Sequence, residues 1–252
     1  MDDVIVIGAG PAGNSAARRL AQYGHSVTVI ERSGRIGDKL CTGIVSLDCV
    51  KHYPVDTTLV HKQADRARFI APSGDNLDIS RDEPQAVILD RVKYVASFAE
   101  DARKLGARYL MEHRVVNICR KNGIVELSLV AKSYHSTVKA RAVVVASGFG
   151  TPLVQQLGMK GSKSFVTGIQ AEVTTSSIDR VSVFFGRDVA PGFFAWVVPT
   201  HEGRALVGLL SERNARHYME LLLAKLKNED LISEWTKGPN QWGVPLKALP
   251  RT

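Results

Sequence analysis

The 252-residue sequence has few cysteines, few aromatic residues and no long apolar run. The three cysteines, Cys41, Cys49 and Cys119, include no CxxC pair. Such a set argues against a disulfide-stapled fold and favours a reducing compartment. No stretch approaches the roughly 20 consecutive apolar residues of a membrane-spanning helix, so we predict a cytoplasmic protein. Hydrophobic residues make up 44% and charged residues 23%, which excludes a disordered or collagen-like chain.

Acidic residues are in short supply relative to basic ones. Lysine and arginine total 33 against 25 aspartates and glutamates, which gives a formal net charge of +8. A positive excess favours nucleotide cofactors or phospholipid surfaces as partners, although basic residues spread along a chain also suit an ordinary solvated surface. No nucleic-acid-binding motif is recognisable, and no nucleic-acid partner is expected. The seven histidines have no HExxH-type spacing, so no metal site is expected either.

The N-terminal segment has the pattern of a strand, a glycine-rich turn, a helix and a second strand. Val4–Ile7 and Ser26–Ile30 are β-branched runs typical of buried parallel strands. Between them, Gly8, Gly10 and Gly13 form a GxGxxG motif. The motif alone is a weak signal, but a position between a strand and a helix is the context that dinucleotide binding requires. The competing interpretation is a glycine turn that binds no ligand.

Each residue of the motif has a separate predicted role. Gly8 permits the tight turn, Gly10 lets the backbone approach a pyrophosphate, and Gly13 lets the helix pack close to the strand. Ala12 lies in the first helical turn, where free N–H groups and the positive dipole end face the phosphates. Glu31 ends the second strand, 18 residues after Gly13, and is placed to accept both ribose hydroxyls. A carboxylate there repels a 2′-phosphate, which favours FAD or NAD over NADP.

The remainder of the chain favours FAD over NAD. Simple NAD dehydrogenases continue with alternating strands and helices, whereas this sequence continues with a long loop at 33–60 that contains at most one short helix, and with a predicted hairpin at 66–80. Several strands between 165 and 210 then suggest a mainly antiparallel sheet. An interruption of this kind suits a flavoprotein, because its extended cofactor reaches from the first βαβ unit to a separate substrate domain.

We therefore predict an α/β fold in which a Rossmann-like FAD-binding domain is interleaved with a mainly antiparallel β-sheet substrate domain. The boundaries are 1–65 and 86–160 for the FAD-binding domain, 66–85 and 161–245 for the substrate domain, and 246–252 for the start of a return to the FAD-binding domain. Further predicted features are a helix after Asp90 up to Leu105, a hairpin turn at Asn122-Gly123, a helix at 214–227 and an irregular end from Gly238 to Thr252.

Three stretches carry a family resemblance: VIVIGAGPAGNSAARRLAQYGHSVTVIER, ILDRVKYVASFAEDARKLGA and VVVASGFG. They resemble the FAD-dependent group that includes aromatic hydroxylases and geranylgeranyl reductases. The resemblance implies that Arg91 contacts the flavin cofactor. It extends the expected cofactor-binding set to four further positions: Arg32, Lys39, Val115 and Gly148. For Arg32 and Lys39, a solvated surface charge is the competing interpretation.

The loop that includes Cys41 points to one branch of that group. Its K-x-C-x-G-x-x-S pattern is similar to geranylgeranyl reductases, in which this loop lies along the flavin. The resemblance implies that Cys41, Thr42 and Gly43 contact FAD. It also makes Cys41 the candidate catalytic residue, which would influence the flavin redox state or aid protonation. The competing interpretation is a small residue that merely packs, as free cysteines often do.

A second motif lies in the later part of the chain. FAWVVP, followed by a glycine, resembles the Y-x-W-x-F-P…G-x-G substrate-cavity signature of the same family. The resemblance implies that Phe194, Trp196, Pro199 and Gly208 bind substrate, although aromatic residues on a strand are as often core. Three positions depart from the signature and each stays apolar: Phe194 replaces Tyr, Val198 replaces Phe, and Leu210 replaces the last Gly.

The resemblance implies an FAD-dependent oxidoreductase that reduces carbon–carbon double bonds of a geranylgeranyl or other isoprenoid chain. The substrate would be a diphosphate or a membrane ether lipid, and the net charge permits peripheral membrane contact. No second dinucleotide fingerprint is present, so NAD(P)H would bind transiently or a ferredoxin would supply electrons. One alternative is a flavin-dependent monooxygenase of an aromatic or polyketide substrate. Phe149 weakens it, because many hydroxylases carry the Asp of G-A-D-G there.

The second alternative is an inactive FAD-binding fragment of a split enzyme. Relatives continue into a strand and a G-D-A-A-G turn whose Asp binds the flavin ribityl chain, whereas this sequence stops at Thr252. We therefore expect a truncated or split form with poor flavin affinity.

Overall fold

The computed structural model describes residues 1–132, 134–159, 164–201 and 203–246, and of residues 236–239 the backbone alone. The described residues form sixteen β-strands and five α-helices. The strands are β1 Asp2–Ile7, β2 Val27–Ile30, β3 Ile44–Ser46, β4 Val60–Ala64, β5 Arg66–Ile70, β6 Asn76–Ser80, β7 Ala86–Leu89, β8 Arg108–Leu110, β9 Arg114–Lys121, β10 Ile124–Ala131, β11 Tyr134–Val145, β12 Phe165–Thr174, β13 Val181–Phe185, β14 Phe194–Pro199, β15 Arg204–Ser211 and β16 Trp235–Pro245. The helices are α1 Pro11–Gln22, α2 Leu47–His52, α3 Arg91–Lys104, α4 Leu153–Gln156 and α5 Ala215–Asn228.

The described residues divide into two compact units, each made of separate stretches of the chain. The first contains 1–39 and 92–159, and the second contains 40–91 and 164–246. The predicted FAD-binding domain included 40–65 and 86–91, whereas the contacts place both stretches in the second unit. The physical reason is that β3 and β4 pair with β7 in a three-stranded sheet, and Ile88 of β7 packs against Trp196 and Val198 of β14. Which stretches bind the cofactor is a functional question that stays a prediction, and of the predicted return at 246–252, residues 247–252 lie outside the described residues.

The first unit is built on a six-stranded sheet in the order β8-β2-β1-β11-β10-β9. The central strands β2, β1 and β11 are parallel, as the βαβ pattern predicts. One face of the sheet packs against small residues of α1 and α3, among them Ala17 and Ala99. Helix α1 ends at Gln22, and Gly24, with a φ of 83°, turns the chain so that the His25 N–H donates to the Leu20 carbonyl at 3.2 Å.

The predicted hairpin of the first unit joins β9 and β10. Asn122 and Gly123 both have positive φ angles, 51° and 79°, as a two-residue turn of this kind requires. The hairpin extends the sheet beyond β11, and its buried residues Leu127 and Leu129 cover the face opposite α1.

The second unit is built on a seven-stranded sheet in the order β16-β12-β15-β14-β13-β5-β6. All neighbouring strands are antiparallel except β13 and β5. Helix α5 buries Met219, Leu223 and Leu226 against one face. The other face carries a separate apolar cluster around Trp196 and Val198. Strand β6 is an edge strand whose five residues are all exposed.

The expectation of an irregular end from Gly238 is wrong, because β16 continues up to Pro245. The stretch 33–60 contains the short helix α2, which was expected, and also the strand β3, which was not. Strand β16 forms because it pairs with β12 from Trp235 to Pro245, although the register shifts on both sides of Glu172. Glycine and proline are tolerated there, since β16 lies at the edge of the sheet.

Candidate functional site

The glycine bend after β1 contains two positions where a side chain cannot fit. A Cβ atom on Gly8 would lie 2.6 Å from the Ala146 carbonyl oxygen, and Gly8 has a φ of 103°. A Cβ atom on Gly13 would lie 1.9 Å from the Gly8 carbonyl oxygen. The backbone therefore turns tightly at Gly8, and α1 packs directly on the bend at Gly13.

Gly10 has different surroundings within the same bend. A Cβ atom there would meet nothing within 4 Å, so the backbone presents an open surface. Helix α1 begins with Pro11 in its first turn, has no acidic residue in that turn, and leaves Ala12 exposed. Unpaired N–H groups at a helix N-terminus attract anions. The bend therefore has the open surface and the donors that a pyrophosphate needs.

Glu31 faces the glycine bend from the end of β2. Its Oε2 accepts a hydrogen bond from the Ala9 N–H at 2.8 Å, and its Oε1 accepts one from the Ser33 N–H at 2.9 Å. A cavity of about 250 Å³ opens beside the carboxylate. Four of the predicted cofactor-binding residues line this cavity: Gly8, Glu31, Arg32 and Val115.

The segment that comes directly after β11 also lines the cavity. Ser147 and Phe149 line it, and Gly148 lies between them with a φ of 76°. Among the described residues, the buried Ser147 Oγ has no hydrogen-bond partner. Buried polar atoms are rarely left without one, so a polar ligand in the cavity would satisfy this hydroxyl. The residues present thus fit a dinucleotide.

Asn14 supports the bend from below, although no sequence signal singled it out. The side chain is fully buried, and its Nδ2 donates to the Ala9 carbonyl at 3.0 Å and the Val95 carbonyl at 3.2 Å. Its Oδ1 accepts from the Tyr109 hydroxyl at 3.0 Å. Burial raises the pKa of Tyr109 to about 12, so the phenol stays a donor. Asn14 and Glu31 therefore hold the C=O and the N–H of Ala9.

The predicted Cys41 loop lies in the second unit. Cys41 is exposed, and Thr42 Oγ1 accepts a hydrogen bond from the Ile44 N–H at 3.4 Å. Gly43 has a φ of 75°, and a Cβ atom there would lie 2.4 Å from the Leu89 carbonyl oxygen. The loop is therefore fastened against β7 at Gly43. Two other predicted cofactor residues flank this region in sequence: Lys39, which is exposed, and Arg91, which begins α3 and is partly buried.

The predicted substrate residues lie on β14 and β15 of the same unit. Trp196 is buried, and its ring lies over Gly208, where a Cβ atom would come within 2.5 Å of Trp196 Cζ2. The Phe194 ring meets the Trp196 ring edge-on at 6.0 Å between centroids. Pro199 is buried at the end of β14. Ile44 packs against the same cluster, so the two motifs singled out in the sequence converge.

Two further residues of this unit were not predicted from the sequence. Trp242 on β16 packs against the Trp196 cluster, with its ring over Gly168. Gln170 on β12 is buried beside Trp196 and forms side-chain hydrogen bonds to it and to the Cys41 loop. A lone Trp or Gln in a strand gives no sequence signal that separates such a role from ordinary packing.

The family model of the pyridine nucleotide-disulphide oxidoreductases matches residues 2–180. The chain belongs to this family. The predicted membership of an oxidoreductase family and the predicted Rossmann-like fold are therefore confirmed, and this family is consistent with FAD as the cofactor.

A digeranylgeranylglycerophospholipid reductase from Methanosarcina acetivorans is 28% identical over 220 residues, which are 82% of this chain and 54% of the relative. The chain thus spans about half the length of that curated relative. A geranylgeranyl bacteriochlorophyll reductase-like structure from Thermoplasma acidophilum has a TM-score of 0.85 at 23% identity, covering 98% of this chain and 66% of that one. The resemblance to geranylgeranyl reductases and the predicted fold class are confirmed.

The p-nitrophenol 4-monooxygenase from Pseudomonas putida has a TM-score of 0.76 at 15% identity, covering 97% of this chain and 68% of that one. At this identity the likeness concerns the fold alone. In the described part of the chain, no helix has both the length and the apolar character needed to cross a bilayer. The described residues also contain no group of three or more metal-ligating side chains suited to an ion.

Proposed function

We propose that this chain binds FAD and reduces carbon–carbon double bonds of an isoprenoid chain. The observation that carries the proposal is the convergence of two distant motifs in the second unit. Ile44 of the Cys41 loop packs against Trp196 and Val198 of the FAWVVP segment. Both segments resemble geranylgeranyl reductases, and an apolar chain placed on this cluster would lie beside the Cys41 loop.

The first unit would hold the adenosine diphosphate part of FAD. Gly10 gives the pyrophosphate an open approach, and the first turn of α1 supplies N–H donors. Glu31 would accept the ribose hydroxyls from the position it already occupies beside the bend. Ser147 Oγ would gain a partner from a ligand in the cavity.

The second unit would orient the substrate and supply a proton. The partly buried side chains packed around Trp196, among them Phe194, Leu206 and Leu210, would exclude water and bind the apolar chain through dispersion and burial. Reduced FAD, when bound, supplies a hydride to one carbon of the double bond. The other carbon needs one proton, which the exposed Cys41 thiol would donate and then recover from solvent.

The partners proposed from the sequence follow from this chemistry. An isoprenoid ether lipid or diphosphate would be the substrate, and NAD(P)H or a ferredoxin would reduce the flavin. A net charge of +8 suits peripheral contact with an anionic lipid surface from the cytoplasmic side.

An anaerobic experiment tests this function. The purified chain is loaded with FAD, photoreduced without oxygen, and mixed with a digeranylgeranyl ether phospholipid or geranylgeranyl diphosphate. We expect the flavin absorbance to return as the substrate gains hydrogen, detected by mass spectrometry. Oxygen consumption with an aromatic substrate would instead favour the monooxygenase, and failure to bind FAD at high concentration would favour the inactive fragment.

A further inference from the structure

Gln170 is a buried amide on an otherwise apolar sheet face. Its exposed fraction is 2%, and the neighbouring cluster around Trp196 includes Leu206 and Leu210. Burying a side-chain amide is unfavourable unless its hydrogen bonds are made. An apolar residue at this position would need no hydrogen bonds. The function of Gln170 is therefore to be sought in the two hydrogen bonds that its side chain makes.

Both ends of the Gln170 amide are occupied. Trp196 Nε1–H donates to Gln170 Oε1 at 3.3 Å, and Gln170 Nε2 donates to the Cys41 carbonyl at 3.3 Å. An indole N–H can only donate and a backbone carbonyl can only accept. The orientation of the amide is therefore fixed by its two partners, and a carboxylate could replace only one of the two bonds.

The strand register shows how Gln170 reaches Trp196. Gln170 on β12 lies opposite Gly208 on β15, and Gly208 lies opposite Trp196 on β14. Because Gly208 has no side chain, the indole crosses above β15 and meets the amide two strands away. Gly208, predicted to bind substrate, thus has a packing role, because it makes room for this contact.

The Cys41 loop is fastened at two carbonyl groups. The Cys41 carbonyl accepts from Gln170, and the Gly43 carbonyl accepts from the Leu89 N–H at 3.1 Å. The bond at Gly43 joins two backbone groups, whereas the bond at Cys41 depends on the side chain of Gln170. Removing that side chain would remove the hydrogen bond at the Cys41 carbonyl and leave the bond at Gly43 in place.

We infer that Gln170 is a positioning residue, which orients the Cys41 loop and the Trp196 indole together through one buried amide. In the proposed reaction, Gln170 would set the direction from which the Cys41 thiol approaches an apolar chain lying on Trp196. Only this part of the inference rests on the proposed function. The contacts themselves do not depend on which substrate the chain takes.

Hydrogen–deuterium exchange on the whole protein tests the positioning. Gln170→Met keeps the side-chain volume and removes both bonds, whereas Gln170→Glu, studied at a pH at which the buried carboxyl is ionised, keeps an acceptor for the indole and loses the donor to Cys41. In both variants we expect backbone exchange in the peptide 38–46 to accelerate roughly fivefold, the factor that corresponds to one lost hydrogen bond. The matched control is Gln63→Met, at an exposed glutamine of β4.

A second measurement distinguishes a local effect on the Cys41 loop and the Trp196 indole from a general loss of rigidity in the second unit. The indole N–H resonance of Trp196, assigned through Trp196→Phe, should shift upfield in Gln170→Met and stay near its position in Gln170→Glu. Exchange in β13 and β14 should match the wild type. Equal acceleration throughout the second unit, or none in 38–46, would overturn the inference. If the loop loosens while geranylgeranyl substrates never reoxidise the flavin, the proposed function fails and the positioning stands.

Discussion

Gly10 and Gly13 belong to one six-residue motif, yet a methyl group added at each would meet different surroundings. At Gly10 the methyl group points into open space, and the φ of −76° suits alanine. We expect Gly10→Ala to change the free energy of unfolding by less than about 1 kcal/mol. The dissociation constant for FAD should rise by roughly tenfold or more, because the methyl group occupies the approach of the pyrophosphate. Flavin fluorescence titration measures the second effect and urea denaturation the first.

Gly13→Ala, in contrast to Gly10→Ala, should lower the stability of the fold. The added Cβ would lie 1.9 Å from the Gly8 carbonyl oxygen, so α1 must move away from the bend. We expect a loss of about 1–3 kcal/mol in the free energy of unfolding, measured by the same denaturation experiment. A Gly13→Ala protein as stable as the wild type would show that the close approach of α1 is not rigid.

Tyr109 makes the stability of the protein depend on alkaline pH. Its pKa is about 12 in the fold, against 10.0 for a solvated tyrosine, chiefly because burial disfavours the charged form. A group with a raised pKa contributes its stability fully below pH 10 and loses it as pH rises from 10 to 12. We therefore expect Tyr109→Phe to flatten the decline of unfolding free energy across this range.

The matched control is Tyr134→Phe, since 68% of Tyr134 is exposed. At pH 8, Tyr109→Phe should cost about 1 kcal/mol, because Asn14 loses the hydroxyl that donates to it. Identical pH profiles for Tyr109→Phe, Tyr134→Phe and the wild type would contradict the assignment of this pH dependence to Tyr109.

Sequence reasoning reached some of these residues and missed others for a physical reason. Glu31 was predictable because a strand, a glycine bend and a helix fix the spacing between the motif and the end of β2. Asn14 and Gln170 were not, because each acts through partners far away in sequence: Val95 for the first and Cys41 for the second. Neither contact leaves a local pattern.

At the scale of elements, the Trp196 ring of β14 can lie over β15 because Gly208 has no side chain. A Cβ atom on Gly208 would lie 2.5 Å from the Trp196 ring and 2.6 Å from the Ile169 carbonyl oxygen. We expect Gly208→Ala to displace the indole, break its bond to Gln170 and lower the unfolding free energy by about 1–3 kcal/mol. Gly34→Ala is the control, since its nearest neighbour would be a flexible Glu112 side chain at 3.5 Å. Thermal denaturation compares the two, and equal stability would contradict the packing role.

Elements were predicted correctly where the local sequence alone decides the structure. The Asn122-Gly123 turn and the first βαβ unit follow from positive φ angles and from strand and helix periods. Strands β3, β4 and β7 have three to five residues each and are stabilised by one another. Strand β16 contains Gly238, Pro239 and Gly243, and its extended conformation depends on pairing with β12. Such strands become apparent only when their partners are known.

At the scale of the whole molecule, FAD binding should appear as added stability. A ligand that binds only the folded state stabilises it by about 2.7 kcal/mol at a concentration 100 times its dissociation constant. For a chain of this size we expect the melting temperature to rise by roughly 5–10 °C. Riboflavin lacks the adenosine diphosphate part and should give no comparable shift. A shift with riboflavin equal to that with FAD would contradict the placement of the adenosine diphosphate part at the glycine bend.

Strand β6 ends the seven-stranded sheet, and no strand among the described residues pairs with its outer edge; its side chains Leu77 and Ile79 are 61% and 39% exposed. Such an edge is a template for strand addition from a neighbouring molecule. Asp78 stands between the two apolar residues and is held by Arg68 through two bonds of 2.8 Å. We expect this carboxylate to oppose strand addition, because a charge on an exposed edge strand disfavours pairing with a neighbouring molecule.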